Sequence, residues 1–411
     1  MHRYRELITG LGWTAFILAV FTLGQTIPLP GIDLTDAQDA LGNVTFMQLF
    51  ANMTGSNYQM PTLFSVGLGP FMSSMIIWQA VQVIGDEKVS RLTPHQLSFW
   101  KYSITIVLAI VQAFQLVYYI RDAIKPFYLW GTTINIAFPV VLLILVAGAI
   151  FVTWLADLNA SRGIGNTTAL IIPGIVRGVP NALQNGFGGT DAVRVKLTTR
   201  SLEIAAAIVL VYLIFIVIIN AAELRIPVER PMLEGSHPDS YLPIKLLTAG
   251  GMPFMFSGSL FKLPQYFINP TLGPTTAWQH FLTTWFSRNT PQGVLSYGVI
   301  LLLLSYAFGY MNIQPTKLAK DLKESGDYIV GVYPGEETER YIVHHFNLLS
   351  FVGNLIIILI GVGPLIIGLY YPPAANYSAL LGSVMILVGI CSNVGDQVRS
   401  LWNKNRYRIF D

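Results

Sequence analysis

The chain has 411 residues, 53% of them hydrophobic and only 11% charged, with a net charge of +3 and a mean hydropathy of +0.54. Soluble domains carry about 25% charge, so the composition excludes an ordinary soluble fold, and so small a net charge gives no footing for a nucleic-acid partner. The single cysteine, Cys391, excludes an internal disulfide.

In chain order, the first apolar run, 9–29, follows a short basic start, "MHRYRE". No small-residue cleavage site comes after it, so it reads as a retained helix rather than a removed signal. Further strong runs at 102–120, 135–156, 202–221, 294–312, 347–371 and 377–393 are long and apolar enough to cross a hydrocarbon core of about 30 Å. Three weaker segments, 62–84, 167–180 and 247–264, complete a set of ten. Ten spans put both termini on one side. Placing them inside assigns 17 of the 25 Lys and Arg to cytoplasmic segments, which predicts an N-in, C-in protein of the cell membrane.

Each weak segment carries a proline beside glycines: Pro70 in "VGLGPFMSS", Pro173 in "IIPGIV" and Pro253 in "AGGMPFMFSGS". Ser73, Ser74 and Gln79 add polar groups to the first. From Thr167 to Val179 there are 13 residues, about 20 Å of helix at about 1.5 Å per residue, which is short of the core. Helices broken in this way persist where protein or a water-filled cavity covers them. Kinked helices packed through small residues are the plainer alternative. Three in one chain, at positions two, five and seven, favour a cavity. Arg177 either snorkels to the outer surface or lines an outer funnel.

A cavity among broken helices suits a secondary transporter, but those proteins hold ionisable groups at depth. Here Asp157 and Glu203 sit at span ends, and all six histidines (His2, His95, His237, His280, His344, His345) fall in expected loops. The "GIG" at 163–165 lacks the Lys-Ser/Thr of a phosphate loop. With no metal-ligand cluster and no nucleophile motif in the sequence, neither catalysis nor a cofactor is expected. Two cytoplasmic loops, 220–245 and 312–345, are long for connectors. The second reads as a short amphipathic helix, a turn at Pro334-Gly335 and another helix. Long ordered loops on a channel serve as docking sites; solvated charged tails are the alternative.

Seven stretches, in this order, carry a family likeness: "TIPLPGID" (26–33), "FSVGLGPFMSSMII" (64–77), "SRGIGN" (161–166), "LRIPV" (224–228), "LPIKLLTAGGMPFMFSGSL" (242–260), "TKLAKDLKESGDYIVGVYPGEETERYI" (316–342) and "LGSVMILVGI" (381–390). The chain resembles the SecY family, the central subunit of the protein-conducting channel. The resemblance implies an all-α polytopic membrane protein with ten transmembrane helices in two inverted five-helix halves, residues 1–200 and 201–411, around a central pore. It implies a lateral gate between spans two and three and spans seven and eight. A plug would lie near 52–64, with Asn52, Ser56, Tyr58 and Leu63.

The same resemblance implies an apolar ring at the waist, formed by Leu68, Met72, Thr168, Ile172, Met252 and Ile386. Span five is one residue shorter than the family pattern, so Ile171 can stand for Ile172. Thr168 departs from the usual aliphatic residue, and its hydroxyl either meets cargo or bonds its own helix. Flexible apolar side chains at a constriction dewet and block ions when the pore is empty, yet yield to a passing chain.

The partners implied are a SecA-type motor ATPase, SecE-like or accessory small membrane subunits, a secreted preprotein as cargo, and the lipid bilayer. Arg225, Arg230, Tyr333, Pro334, Gly335 and Glu336 would dock the motor. Tyr333 stands where housekeeping relatives have arginine, and Glu223, Glu229 and Glu234 offset the two arginines of the 220–245 loop. These departures and the short C-tail resemble the accessory branch in Gram-positive bacteria, which implies export of large glycosylated, serine-rich surface proteins driven by an accessory SecA. The alternatives are a housekeeping secretion channel, a membrane insertase, and, in a different class, a solute transporter or lipid scramblase.

Overall fold

The computed structural model describes residues 5–37, 61–84, 93–128, 136–176, 199–231, 240–262, 264, 276–287, 290–370 and 375–404. A helix stands at each of the ten expected spans. The first half holds α1 (Arg5–Gly24), α2 (Gly69–Ile84), α3 (Pro94–Tyr119), α4 (Ala137–Arg162) and a short α5 (Thr167–Val176) that begins as a 3₁₀ turn. Then come α6 (Thr199–Ala221), β1 (Glu223–Glu229), β2 (Tyr241–Lys245) and α7 (Met252–Lys262). The chain finishes with α8 (Ala277–Trp285), α9 (Pro291–Ile313), α10 (Pro315–Ser325), β3 (Tyr328–Ile329), α11 (Glu336–Tyr370) and α12 (Ala375–Lys404). Six of the described helices are long and apolar enough to cross a membrane.

The distribution of side chains is that of a protein dissolved in lipid. Phe16, Leu143, Leu210, Val211, Leu303 and Leu359 lie within apolar helices and are each more than half exposed. The small polar residues Ser73, Ser74, Thr105, Thr153, Ser257, Ser305 and Ser378 are buried between helices instead. They hydrogen-bond locally or across: Thr105 to Ser74 at 2.7 Å joins α3 to α2, Ser305 to Asn354 at 2.5 Å joins α9 to α11, and Ser378 to the Gly361 carbonyl at 2.5 Å joins α12 to α11. Small and hydroxylated residues let helices approach closely where no hydrophobic driving force separates helix from lipid.

In two of the weak spans the proline stands at the helix start, which speaks against the kinked-helix alternative there. Pro70 and Pro253 are the second residues of α2 and α7, so they open helices rather than bend them. Each helix follows a run of turns that passes through a left-handed glycine: Gly67 before α2 and Gly250 before α7, both with φ 57°. The sequences match as well, G-x-x-P-F-M-x-S at 67–74 and again at 250–257. The two serines repeat their bonds, Ser74 to the Phe71 carbonyl at 2.8 Å and Ser257 to the Phe254 carbonyl at 3.1 Å. Each serine also reaches the next span, Ser74 to Thr105 on α3 and Ser257 to Tyr297 on α9 at 3.4 Å.

Outside the membrane part, the two long loops fold together. Strands β2, β1 and β3 form one antiparallel sheet in that order, with Arg225 opposite Pro243 and Val228 opposite Ile329. Ile226, Val228, Ile244, Ala319, Leu322, Ile329 and Ile342 bury themselves between the sheet, α10 and the start of α11. The sequence reading contained no strands here. It also separated a loop helix from span nine, whereas α11 is a single helix from Glu336 to Tyr370 that carries His344 and His345. α8, which carries His280, was likewise not expected.

Candidate functional site

The four elements named for the waist converge. Leu68 precedes α2 by one residue and Met72 lies in its first turn; Ile386 is mid-helix on α12. All three are buried in one apolar cluster with Ile171 of α5, and Ile172 and Met252 pack against that cluster half-buried. Both candidates for the span-five position therefore touch it, with Ile171 the more enclosed. The start of α7 lies directly on α12, because a Cβ on Gly251 would stand 2.7 Å from the Ile386 Cα and 3.0 Å from the Met385 carbonyl oxygen.

A cavity of about 370 Å³ opens beside these residues, between β2, the end of α6, the start of α7, the end of α9 and α12. Asn220, Lys245, Thr248, Asn312 and Asn393 supply polar walls, while Met252, Met255, Ile386 and Ile390 supply apolar ones. Thr168 also lines it, and its hydroxyl donates to the Gly165 carbonyl at 3.1 Å. Its hydroxyl therefore bonds its own turn, as the second of the two readings of Thr168 has it, at a residue that borders the cavity. Met255 and the Gly251 contact were not anticipated, although the repeated G-x-x-P-F-M motif pairs Met255 with Met72.

The short α5 is held from three sides. Thr14 of α1 donates to the Ile164 carbonyl at 3.1 Å and accepts from the Ile164 N–H at 2.7 Å. Asn159 of α4 donates to the Asn166 carbonyl at 2.6 Å, and Gln397 of α12 accepts from the Gly165 N–H at 2.8 Å. Asn166 takes φ 53° and Gly165 φ 91°, where a Cβ on Gly165 would meet Val394 at 2.9 Å. The "SRGIGN" turn is therefore a strained corner fixed by its neighbours. A segment too short for lipid is supported by protein.

Of the plug residues, Asn52, Ser56 and Tyr58 lie outside the described residues, as does Arg177. Leu63 is half-buried, and its N–H donates to the Ile27 carbonyl at 3.0 Å, so the chain entering α2 runs beside the segment leaving α1. α2 packs on α3, α7 packs on α9, and α2 touches α7.

On the sheet platform, Tyr333 is 78% exposed, and its carbonyl accepts from the buried Thr338 hydroxyl at 2.9 Å. Gly335 has φ 116°, which turns the chain into α11 at Glu336. The charges are largely paired: Arg225 with Glu223 at 2.9 Å, Arg230 with Asp327 at 3.6 Å, Arg340 with Glu336 at 3.9 Å and Lys320 with Glu324 at 3.7 Å. Arg225 also lies 4.7 Å from the centre of the Tyr241 ring. Tyr328 donates to the Glu229 carboxylate, and that bond raises its phenol pKa above the ordinary 10.0. Among the described residues no three His, Cys, Asp or Glu side chains are grouped to hold a metal ion.

Comparison with known proteins gives a consistent result. The SecY family profile matches residues 62–394. A relative from Leuconostoc gelidum subsp. gasicomitatum, an accessory Sec system protein translocase subunit SecY2, is 32% identical over 96% of this chain and 94% of its own length. The protein of the same name from Streptococcus sanguinis is 30% identical over 96% of both chains. Among solved structures, a protein conducting channel superposes with a TM-score of 0.62 at 17% identity, covering 97% of this chain and 93% of that one. Sec61 from the canine ribosome-channel complex of the endoplasmic reticulum gives 0.57 at 16% identity, covering 97% and 93%.

Proposed function

The chain belongs to the SecY family of protein-conducting channel subunits, and from that premise we propose that it forms the pore of an accessory export system rather than of the general one. It is a multi-pass membrane protein and a subunit of a protein translocation channel. The observation that carries the pore reading is the convergence of Leu68, Met72, Ile171, Met252 and Ile386, from four separate elements, on one apolar cluster beside a partly polar cavity. In this reading Leu68, Met72, Thr168, Ile172 or Ile171, Met252 and Ile386 ring the waist of a pore between halves 1–200 and 201–411. The repeated helix starts of α2 and α7 support that division. In this reading the plug is drawn from the segment near 52–64, of which 52–60 lie outside the described residues.

The accessory assignment draws on the relatives' names and on the platform. A general motor site would present free cations; here Arg225, Arg230 and Arg340 each stand beside a carboxylate, and an exposed tyrosine occupies the tip. A SecA-type ATPase of the accessory kind docks on Arg225, Arg230 and 333–336 and supplies the energy. The chain has no catalytic chemistry of its own and needs no cofactor. SecE-like or accessory small subunits brace the halves in the cell membrane with both termini cytoplasmic, and the cargo is a large glycosylated, serine-rich surface protein.

The test is disulfide trapping in cells. Thr168→Cys in a Cys391→Ala background is paired with a cysteine in a stalled secreted substrate, with Leu68→Cys and Met252→Cys in parallel. A crosslink that requires the motor ATPase at all three positions is expected. Crosslinks at Leu68 and Met252 alone would remove Thr168 from the ring. Crosslinks at none of them, with the protein intact in the membrane, would overturn the pore assignment.

A further inference from the structure

α8 belongs to none of the ten spans. It sits between the end of α7 and the start of α9, at the end of the molecule away from the platform, since the opposite ends of those two helices adjoin β2 and α10. Nine residues rarely hold a helix alone, and this one is fixed at both ends. Thr276 and Gln279 form a reciprocal capping box at 3.4 and 3.2 Å. At the other end the Thr290 hydroxyl donates to the Thr284 carbonyl at 2.6 Å and accepts from the Gly293 N–H at 3.2 Å, joining α8 to the first turn of α9. Gly293 is required there, because a Cβ would lie 1.6 Å from the Ser287 carbonyl oxygen. Leu282 is buried, and the Phe286 ring lies 5.5 Å from Phe261 on α7. α8 is therefore tied to α9 by these hydrogen bonds and, through Phe286 at its end, to α7.

Its other face is a row of aromatic rings. Trp278, Phe281 and Trp285, spaced by three and four residues, are 64%, 45% and 37% exposed, with successive centroids 5.5 and 5.7 Å apart. The nine residues "AWQHFLTTW" contain no Asp, Glu, Lys or Arg. In water such a row would be an aggregation liability. It adjoins α9 in the chain, however, and α9 itself exposes Leu295, Val299 and Leu303 at 60%, 50% and 62%, the surface of a helix in lipid. Tryptophan has an apolar body and one N–H donor, which suits the boundary between headgroups and acyl chains. An amphipathic helix lies in that plane with its apolar face about 5–10 Å deep.

We infer that α8 lies in the membrane–water interface on the side away from the platform, with the Trp278–Phe281–Trp285 face set among the lipids, and that it fixes the depth of α7 and α9 in the bilayer. The site is lipid-binding, and its ligand class is the glycerol and upper acyl region of a phospholipid. The inference rests on the membrane location of the chain and not on its cargo.

The test places an environment-sensitive fluorophore on Phe281→Cys, in a Cys391→Ala background, in the full chain reconstituted into phosphatidylcholine–phosphatidylglycerol vesicles. Labels at Trp278→Cys, Leu295→Cys and Tyr333→Cys run in parallel. Lipids carrying a nitroxide near the glycerol end should quench the Phe281 and Trp278 labels more than lipids carrying it near the chain end. The Leu295 label should be quenched by both lipids and the Tyr333 label by neither. If Leu295 is quenched while Phe281 and Trp278 are not, the chain is inserted and the inference fails. Labels at Phe281 and Trp278 shielded from both lipids and aqueous iodide would also overturn it, and would assign the face to a protein partner.

Discussion

Gly67 and Gly250, one in each half of the chain, hold the same backbone angle, φ 57°, just before a helix whose second residue is proline. A Cβ at Gly250 would meet nothing within 4 Å, so the glycine serves the backbone and not the packing. Gly250→Ala should cost about 1–2 kcal/mol, the left-handed penalty for an L side chain, and Gly250→Asn less. Gly67→Ala should bear at least the same backbone cost. Thermal unfolding in detergent would show it as a lowered midpoint. A Gly250→Ala protein as stable as its parent would mean that the turn is not needed in this form.

Gly251 is a different case, since its neighbour is the backbone of α12. Gly251→Val should force α7 off Ile386 and cost about 1–3 kcal/mol through overpacking. If the cluster there seals the pore, the same variant should raise ion leakage through reconstituted channels. Conductance in planar bilayers checks the second effect separately from the first.

The N–H of Gly165 depends on Gln397 from the other end of the chain. Gln397→Ala strands that donor in a partly buried corner and should cost about 1–3 kcal/mol. Gln397→Glu keeps an acceptor and should cost less. Accelerated backbone hydrogen exchange at 164–169 in the alanine variant alone would trace the loss to this bond.

On the platform, stability and the proposed docking role fall on different residues. Ile226→Ala removes a buried side chain from the core between sheet and helices and should destabilise that unit by about 2–5 kcal/mol. Tyr333→Ala removes a side chain that is 78% exposed and should leave stability within about 0.5 kcal/mol. Its effect should appear as weaker binding of the motor ATPase, read by titration of the reconstituted channel. Unchanged motor affinity in Tyr333→Ala would move the docking site off this loop.

Asp33 offers a pH test at the opposite end of the molecule. Its carboxylate accepts from the Thr35 hydroxyl at 2.7 Å and lies 3.5 Å from Lys125, and the Thr35 bonds, with Lys125 assisting, hold its pKa below the usual 3.8. A lowered carboxylate stabilises the fold above its unfolded value and loses that contribution as pH falls through the lowered one. Proteolysis around 33–37 should therefore accelerate below about pH 3.8 in the native chain, and Asp33→Asn should flatten the dependence.

The spans were legible because apolar runs of membrane length have one physical use, and all ten expected positions carry helices. The platform sheet was not. β1 reads "ELRIPVE", with a proline and three charges in seven residues, and its partner β3 is two residues long and about a hundred residues away. Strand pairing of that kind is decided by tertiary contact rather than local pattern. α8 was missed because a nine-residue amphipathic stretch between spans resembles a loop at the window length that detects a span. At the waist Leu68, Met72 and Ile386 were placed by the family resemblance alone; the structure buries them in one apolar cluster. The contact of Gly251 with Ile386 was not legible, since nothing local relates positions so far apart.

The continuity of α11 has a mechanical consequence. Thirty-five residues of helix reach about 52 Å, from the turn at 333–335, past α9 and α12, to Tyr370, which is 90% exposed. A displacement of a few ångströms at Tyr333 would therefore enter this helix directly and not through a loop. Pro364 interrupts the rod near its far end, where the helix loses a hydrogen bond and bends most easily. α11 is thus one continuous helix from the platform turn to Gly361, and its hydrogen bonding is interrupted only near its far end, at Pro364.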